Sequence, residues 1–113
     1  MKPYTEKRPW GKFEQFTENE QSTVKVITVR RGGELSLQYH RKRREFWKIL
    51  QGRPRITIGN KTVIAKVGDE FIIPRRVKHR ISAPTSKVEV LEVAFGFFDE
   101  MDIVRLKDRY DRR

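Results

Sequence analysis

The sequence predicts an all-β fold, an antiparallel sandwich or barrel of which the jelly roll is one member. Two observations carry this expectation. Short stretches of β-branched, aromatic and alternating apolar residues follow one another closely, and glycine or proline punctuates nearly every gap between them.

The elements read in order as follows. Residues 23–30 alternate β-branched and polar side chains, Arg31-Gly32-Gly33 turns the chain, and residues 35–40 resume an extended pattern. Residues 46–50 form a compact apolar stretch that Gly52-Arg53-Pro54 breaks. Residues 55–58 and 62–67 flank Gly59-Asn60-Lys61, a hairpin turn signal. Gly68-Asp69 opens a strand at residues 71–73 that Pro74 stops, and residues 88–95 make the last strand. The ends differ from this core. Residues 1–22 read as a polar arm kinked at Pro9-Trp10-Gly11, and residues 102–113 as a charged segment forming a helical turn or tail.

A chain of 113 residues fits one domain, here residues 1–113, and needs no disulfide to hold a core of that size. Cysteine is absent, so thiolate chemistry and cysteine-based zinc sites are excluded. The N-terminus lacks the apolar stretch of a signal peptide and no run approaches a membrane span, which predicts a soluble, cytoplasmic protein without membrane partners. Twenty-six basic residues against 15 acidic give a net charge of +11, implying anionic partners. The abundance of Lys, Arg and Glu also suits a protein from a thermophile.

Chemistry concentrates in two clusters, Gly32…Gln38-Tyr39-His40…Glu45…Gly52 and Gly68…Pro74…His79. Gln38 and His40 are two apart, so on a strand both leave one face, where Glu45 and His79 can converge from neighbouring strands. Two imidazoles, a carboxylate and an amide oxygen would make a mixed N/O site for one metal ion. His40 and His79 are the only histidines in the chain, and both fall inside the clusters.

The spacing of the first cluster resembles the first cupin motif, with Gln38 where a first histidine is commonest. The second resembles the second cupin motif, with Arg76 in place of the usual glycine and Ala83 of the usual asparagine. Arg8-Pro9-Trp10-Gly11, residues 35–40, Arg43, Glu45, Trp47, Ile73-Pro74, His79-Arg80, Glu92-Val93 and residues 102–106 together look like the type II mannose-6-phosphate isomerases. In that family this module is often the C-terminal part of an enzyme that also carries a guanylyltransferase. No Gly-rich phosphate loop for a nucleotide occurs in this sequence.

The resemblance implies a cupin, a double-stranded β-helix, that isomerises mannose 6-phosphate and fructose 6-phosphate. It implies Gln38, His40, Glu45 and His79 as metal ligands, and the donor set suits zinc first, with Mn, Fe, Co or Ni chemically open. It places Arg43, Arg80 and Arg105 at the phosphate of a small sugar phosphate, where a guanidinium fork is apt. A cupin also implies a homodimer paired through a strand edge. The remaining cations at residues 41, 42, 44, 75 and 76 read as a solvated face.

For the proton transfer, Glu92 interrupts the face of Val88, Val90 and Ala94 that points into the barrel, where burial would raise its pKa. Lys25, on an alternating strand, either pairs with Glu92 or contacts substrate oxygens. Phe46, beside Trp47 where the family usually has histidine, and the aromatic run Phe95, Phe97 and Phe98 predict a more apolar pocket rim. Most of Trp10, Trp47, Phe95, Phe97 and Phe98 read as core or interface. Two other classes remain open: an iron oxygenase using His40, Glu45 and His79 as a facial triad, or a non-catalytic module for acidic saccharide, with nucleic acid disfavoured because no known nucleic-acid-binding motif is present.

Overall fold

A computed structural model describes residues 3–110 of the chain; the outer ends of the expected arms, residues 1, 2 and 111–113, lie outside the described residues. Eleven strands follow in order: β1 (Tyr4–Arg8), β2 (Gly11–Gln15), β3 (Ser22–Val29), β4 (Leu37–Tyr39), β5 (Arg44–Gln51), β6 (Arg55–Ile58), β7 (Lys61–Ile64), β8 (Glu70–Ile73), β9 (His79–Ser82), β10 (Val88–Phe95) and β11 (Val104–Lys107). No helix occurs among the described residues, and all pairings are antiparallel. A four-stranded sheet runs β3-β10-β5-β8 and a five-stranded sheet β11-β4-β9-β6-β7, so strands far apart in sequence lie side by side. This is the double-stranded β-helix of a cupin.

The expected kink at Pro9-Trp10-Gly11 is the turn of a hairpin, and the C-terminal segment departs from expectation. The N-terminal arm is a β1-β2 hairpin with Pro9 and Trp10 in its turn, because residues 4–8 and 11–15 alternate well enough to pair along their whole length. The C-terminal segment is strand β11 rather than a helical turn, its Val104, Arg105 and Lys107 taking up the free edge of β4.

The interior is graded from one end to the other. Val29, Ile49, Ile56, Ile73, Ile81, Val88 and Val90 come from both sheets and pack with Trp47 into the main apolar cluster. Two residues further along the same strands, the inward positions turn polar: Val90 gives way to Glu92, Trp47 to Glu45, Ile81 to His79 and Ile27 to Lys25. The period-two alternation of a strand keeps each of these on the inner face. Outside the four-stranded sheet a second cluster of Phe46, Val93, Phe95 and Phe16 fastens the chain after the hairpin, and Lys48 pairs with Glu14 of β2.

One turn depends on glycine. Gly52 has φ +86°, and a Cβ built there would lie 2.3 Å from the Lys87 carbonyl oxygen, so the turn that carries the chain from β5 to β6 in the other sheet admits no side chain.

Candidate metal centre

The site is assembled from one row of each sheet and the loops that join them. In the five-stranded sheet Arg105, Gln38 and His79 are successive cross-strand neighbours. In the four-stranded sheet Lys25, Glu92 and Trp47 form one row, and Ala94 and Glu45 are paired in the next. Strand pairing therefore supplies all but His40, which follows β4 directly, and Arg43, which immediately precedes β5.

His40, Glu45 and His79 meet with their donor atoms all within 4.8 Å of one another, and all three are buried. Glu45 Oε2 lies 3.5 Å from His40 Nε2, and Oε1 lies 3.8 Å from His79 Nε2. Each imidazole is oriented from behind. His40 Nδ1 donates to the Asp102 carbonyl at 2.5 Å and His79 Nδ1 to that of Val77 at 2.9 Å. With the protons on Nδ1, both Nε2 lone pairs face Glu45.

This arrangement fits a metal ion. The His79 Nε2 is buried without a hydrogen-bond partner among the described residues, an orphan acceptor that an ion would satisfy. Burial, more than offsetting the attraction of Glu45, also holds the His79 pKa below its ordinary value and so favours the neutral, ligating form.

Gln38 stands beside His79 in register and borders the same small cavity, and its Oε1 accepts a hydrogen bond from Ser36 Oγ at 2.6 Å. That oxygen keeps a second lone pair.

Glu92 borders this cavity with Gln38, His79 and Trp47. It is only 6% exposed, and its pKa is pushed up to about 7, first by burial and then by the nearby Glu45 carboxylate. Lys25 is its cross-strand neighbour, yet the ammonium lies 3.2 Å from Glu100 and 4.3 Å above the Phe98 ring.

The three arginines separate. Arg43 is turned inward and 7% exposed: its Nε donates to Glu45 Oε2 at 2.9 Å, Nη1 donates to the Asp99 carbonyl at 3.3 Å, and Nη2 lies 3.3 Å from His40 Nε2. Arg80 alternates with inward His79 and Ile81, donates to the Leu35 carbonyl and faces Glu34 at 3.8 Å, at the border of the cavity and away from the triad. Arg105 flanks Gln38, and its Nε is buried without a partner among the described residues.

Phe46 departs from its expected place on the pocket rim, whereas Phe98 lies over the Arg43 guanidinium and the Lys25 ammonium. Phe46 alternates with Glu45 and Trp47, so it points out of the barrel and packs on Phe16, ring centroids 5.4 Å apart. Trp47 and Phe95 are buried, whereas Trp10 and Phe97 are exposed.

Known proteins place this geometry. The family profile described as mannose-6-phosphate isomerase C-terminal matches residues 2–108. The chain belongs to that family. Its members in this comparison include mannose-1-phosphate guanylyltransferase 2 of Escherichia coli O157:H7, 36% identical over 91% of this chain and 22% of that protein. The alginate biosynthesis protein AlgA of Pseudomonas aeruginosa is 36% identical over 93% of this chain and 22% of its own length. This chain thus spans about a fifth of the curated relatives it matches. Among solved structures, a double-stranded β-helix protein of Klebsiella pneumoniae aligns with TM-score 0.67 at 19% identity, covering 79% of this chain and 77% of that one. A putative sugar phosphate isomerase of Acidithiobacillus ferrooxidans aligns with TM-score 0.61 at 22% identity, covering 67% and 51%. These two likenesses establish the cupin fold.

In this member of the mannose-6-phosphate isomerase C-terminal family, two site residues had no role assigned from sequence. Asp102 orients His40 through its carbonyl, and its carboxylate accepts the amides of Arg41 and Lys42 at 2.9 and 3.0 Å. Burial works against that carboxylate, but the two amides, with His40 and Arg43 nearby, hold its pKa below the usual value. Trp47 donates to Glu45, and the signal that could have found it is its spacing of two along one strand.

Proposed function

We propose that this chain is a metal-dependent sugar-phosphate isomerase module that interconverts mannose 6-phosphate and fructose 6-phosphate. The observation that carries this reading is Glu92, a buried carboxylate one row from Glu45 that borders the same cavity as His79 and Gln38.

His40, Glu45 and His79 would hold a divalent ion, with Gln38 Oε1 as a fourth donor, and zinc suits this set first. Bound there, the ion supplies a Lewis acid for the oxygens at C1 and C2 of the open-chain sugar.

Glu92 is placed to move the proton. Its carboxylate takes the proton from C2 of the aldose; the C–H electron pair becomes the C1=C2 bond, and the C1 oxygen gains a proton, giving the enediol. Return of the Glu92 proton to C1, with loss of the proton on O2, leaves the ketose. Substrate and product are isomers, so nothing else is consumed. Lys25, cross-strand from Glu92, is the cation we assign to the developing negative charge on oxygen once it leaves Glu100.

Arg105, whose Nε has no partner among the described residues, is the cation we assign first to the substrate phosphate, with Arg80 and Arg43 completing the set. The guanylyltransferase names belong to proteins of which this chain spans about a fifth and are not extended to it. Pairing into a homodimer through an open strand edge belongs to the same proposal: Val24 and Val26 of edge strand β3 are exposed, and sedimentation would check it.

Metal analysis of the purified protein followed by conversion of mannose 6-phosphate, for wild type and His79→Ala, tests the reading. Chelator-sensitive conversion that the variant lacks is expected. A metal-loaded wild type that isomerises no hexose phosphate would overturn it.

A further inference from the structure

We propose that Arg43 is an internal counter-cation that keeps the metal's place at Glu45 and His40, and that arrival of a divalent ion expels it and so releases the loop of residues 96–102 over the site. The inference rests on the metal-centre reading above.

The guanidinium occupies atoms the ion needs. Arg43 Nε sits on Glu45 Oε2 at 2.9 Å, and Nη2 lies 3.3 Å from His40 Nε2. Because His40 Nδ1 carries the proton given to Asp102, Nε2 has one lone pair, and it cannot serve both an N–H donor and an ion. Glu45, 1% exposed, needs a cation in either state: one arginine charge before the ion binds, two charges after. Guanidinium and dication on the same carboxylate oxygen repel each other, so the dication displaces the guanidinium.

The same guanidinium is tied to the loop. Its Nη1 donates to the Asp99 carbonyl, and its carbon lies 4.5 Å from the Phe98 ring centroid. Lys25 holds the other side, 4.3 Å from that ring and 3.2 Å from Glu100. Both loop ends are fixed: Gly96, at φ +93°, donates its amide to Gln21, and Asp102 binds His40, Arg41 and Lys42. The middle of the loop is therefore a strap fastened by two cations. The cavity bordered by Gln38, His79 and Glu92 has a volume of about 20 Å³, the room of roughly one water. A hexose phosphate needs more room than that, and the strap lying on Arg43 and Lys25, the latter cross-strand from Glu92, is the part of the mouth that a change of cation can loosen. The ion that expels Arg43 undoes one of its two fastenings and frees a cation for the phosphate, so the ion binds before the sugar.

The test compares Zn²⁺ affinity of wild type, Arg43→Met and Phe98→Ala by competition with a chromophoric chelator, and amide exchange of residues 97–101 with and without Zn²⁺. In wild type, Zn²⁺ is expected to speed exchange in the strap. Arg43→Met is expected to bind Zn²⁺ about tenfold tighter, having no competitor, and to exchange fast without it. Phe98→Ala, which keeps the buried ion pair and so carries the test should Arg43→Met not fold, is expected to bind several-fold tighter. Equal or weaker Zn²⁺ binding by the variants, with wild type still binding, overturns the role of Arg43 alone. Absence of Zn²⁺ binding by wild type overturns the metal-centre reading and this inference together.

Discussion

Trp47 and Glu45, two residues apart on β5, are joined by a hydrogen bond from the indole N–H to Oε1 at 3.2 Å. The same indole stands edge-on to the His79 ring, centroids 5.4 Å apart and planes at 77°. One side chain thus orients two of the three residues of the triad. Trp47→Phe keeps most of the packing and removes the donor, and groups behind a ligand are worth about 10–100-fold in metal affinity. Chelator competition should show a loss within that range for Zn²⁺. Unchanged affinity would reduce the indole to a packing role.

Glu92 sets a pH dependence whose sign follows from its raised pKa. Unfolded, the carboxyl ionises near 4.5; folded, it keeps its proton to about 7. Between those values the folded state binds more protons, so stability falls as pH rises, by an amount on the order of 3 kcal/mol. His79 works in the opposite direction: burial disfavours its imidazolium, so stability falls as pH drops through the ordinary histidine value of 6.5. Denaturant unfolding of metal-free Glu92→Gln should lose the first trend and keep the second. A decline between pH 4.5 and 7 as steep as wild type would place its origin elsewhere.

Gly52→Ala introduces a Cβ 2.3 Å from the Lys87 carbonyl oxygen at a left-handed backbone position. Strain at such a position alone costs of order 1–3 kcal/mol, and the clash with backbone adds to it. Thermal unfolding should fall by roughly 10 °C or more. A melting point within a degree or two of wild type would show that the turn after β5 can rearrange freely.

Phe46→Ala should separate the two faces of the four-stranded sheet. Phe46 is 2% exposed and packs with Phe16, Val93 and Phe95, away from Glu45. Its truncation is expected to cost about 3–5 kcal/mol, with Zn²⁺ affinity per folded molecule unchanged. A parallel loss of affinity would mean that the outer cluster shapes the metal centre.

The strand pattern from residue 22 to residue 95 was largely legible because period-two alternation and Gly or Pro turns are local signals. Strands β6 and β10 fall where the alternation put them, and the short apolar stretch at residues 46–50 is the middle of β5. Strand β9 was missed since His79 and Arg80 read as motif residues rather than as an extended segment. Strand β11 was missed because only the edge of β4, which no local pattern reveals, makes a charged tail extend. His40, Glu45 and His79 converge as their spacing suggested, since spacing is a property of the chain. The inward turn of Arg43 was not legible: it follows from the need of a buried carboxylate for a cation, and that burial exists only once both sheets have closed. The reading of Phe46 went astray for a simpler reason, its neighbour Trp47 pointing the other way along the same strand.

The grading of the barrel interior divides labour along each strand. At one end Val88, Val90, Ile49 and Ile81 are fastened by packing; at the other Glu92, Glu45 and His79 are held by a few polar contacts among ionisable groups. Thermal loosening is expected to start at the polar mouth and travel inward, as local opening does wherever apolar contacts are few. An ion held at His40, Glu45 and His79 would then leave while the apolar half is still closed, and on cooling that half would be a ready frame onto which the mouth refolds.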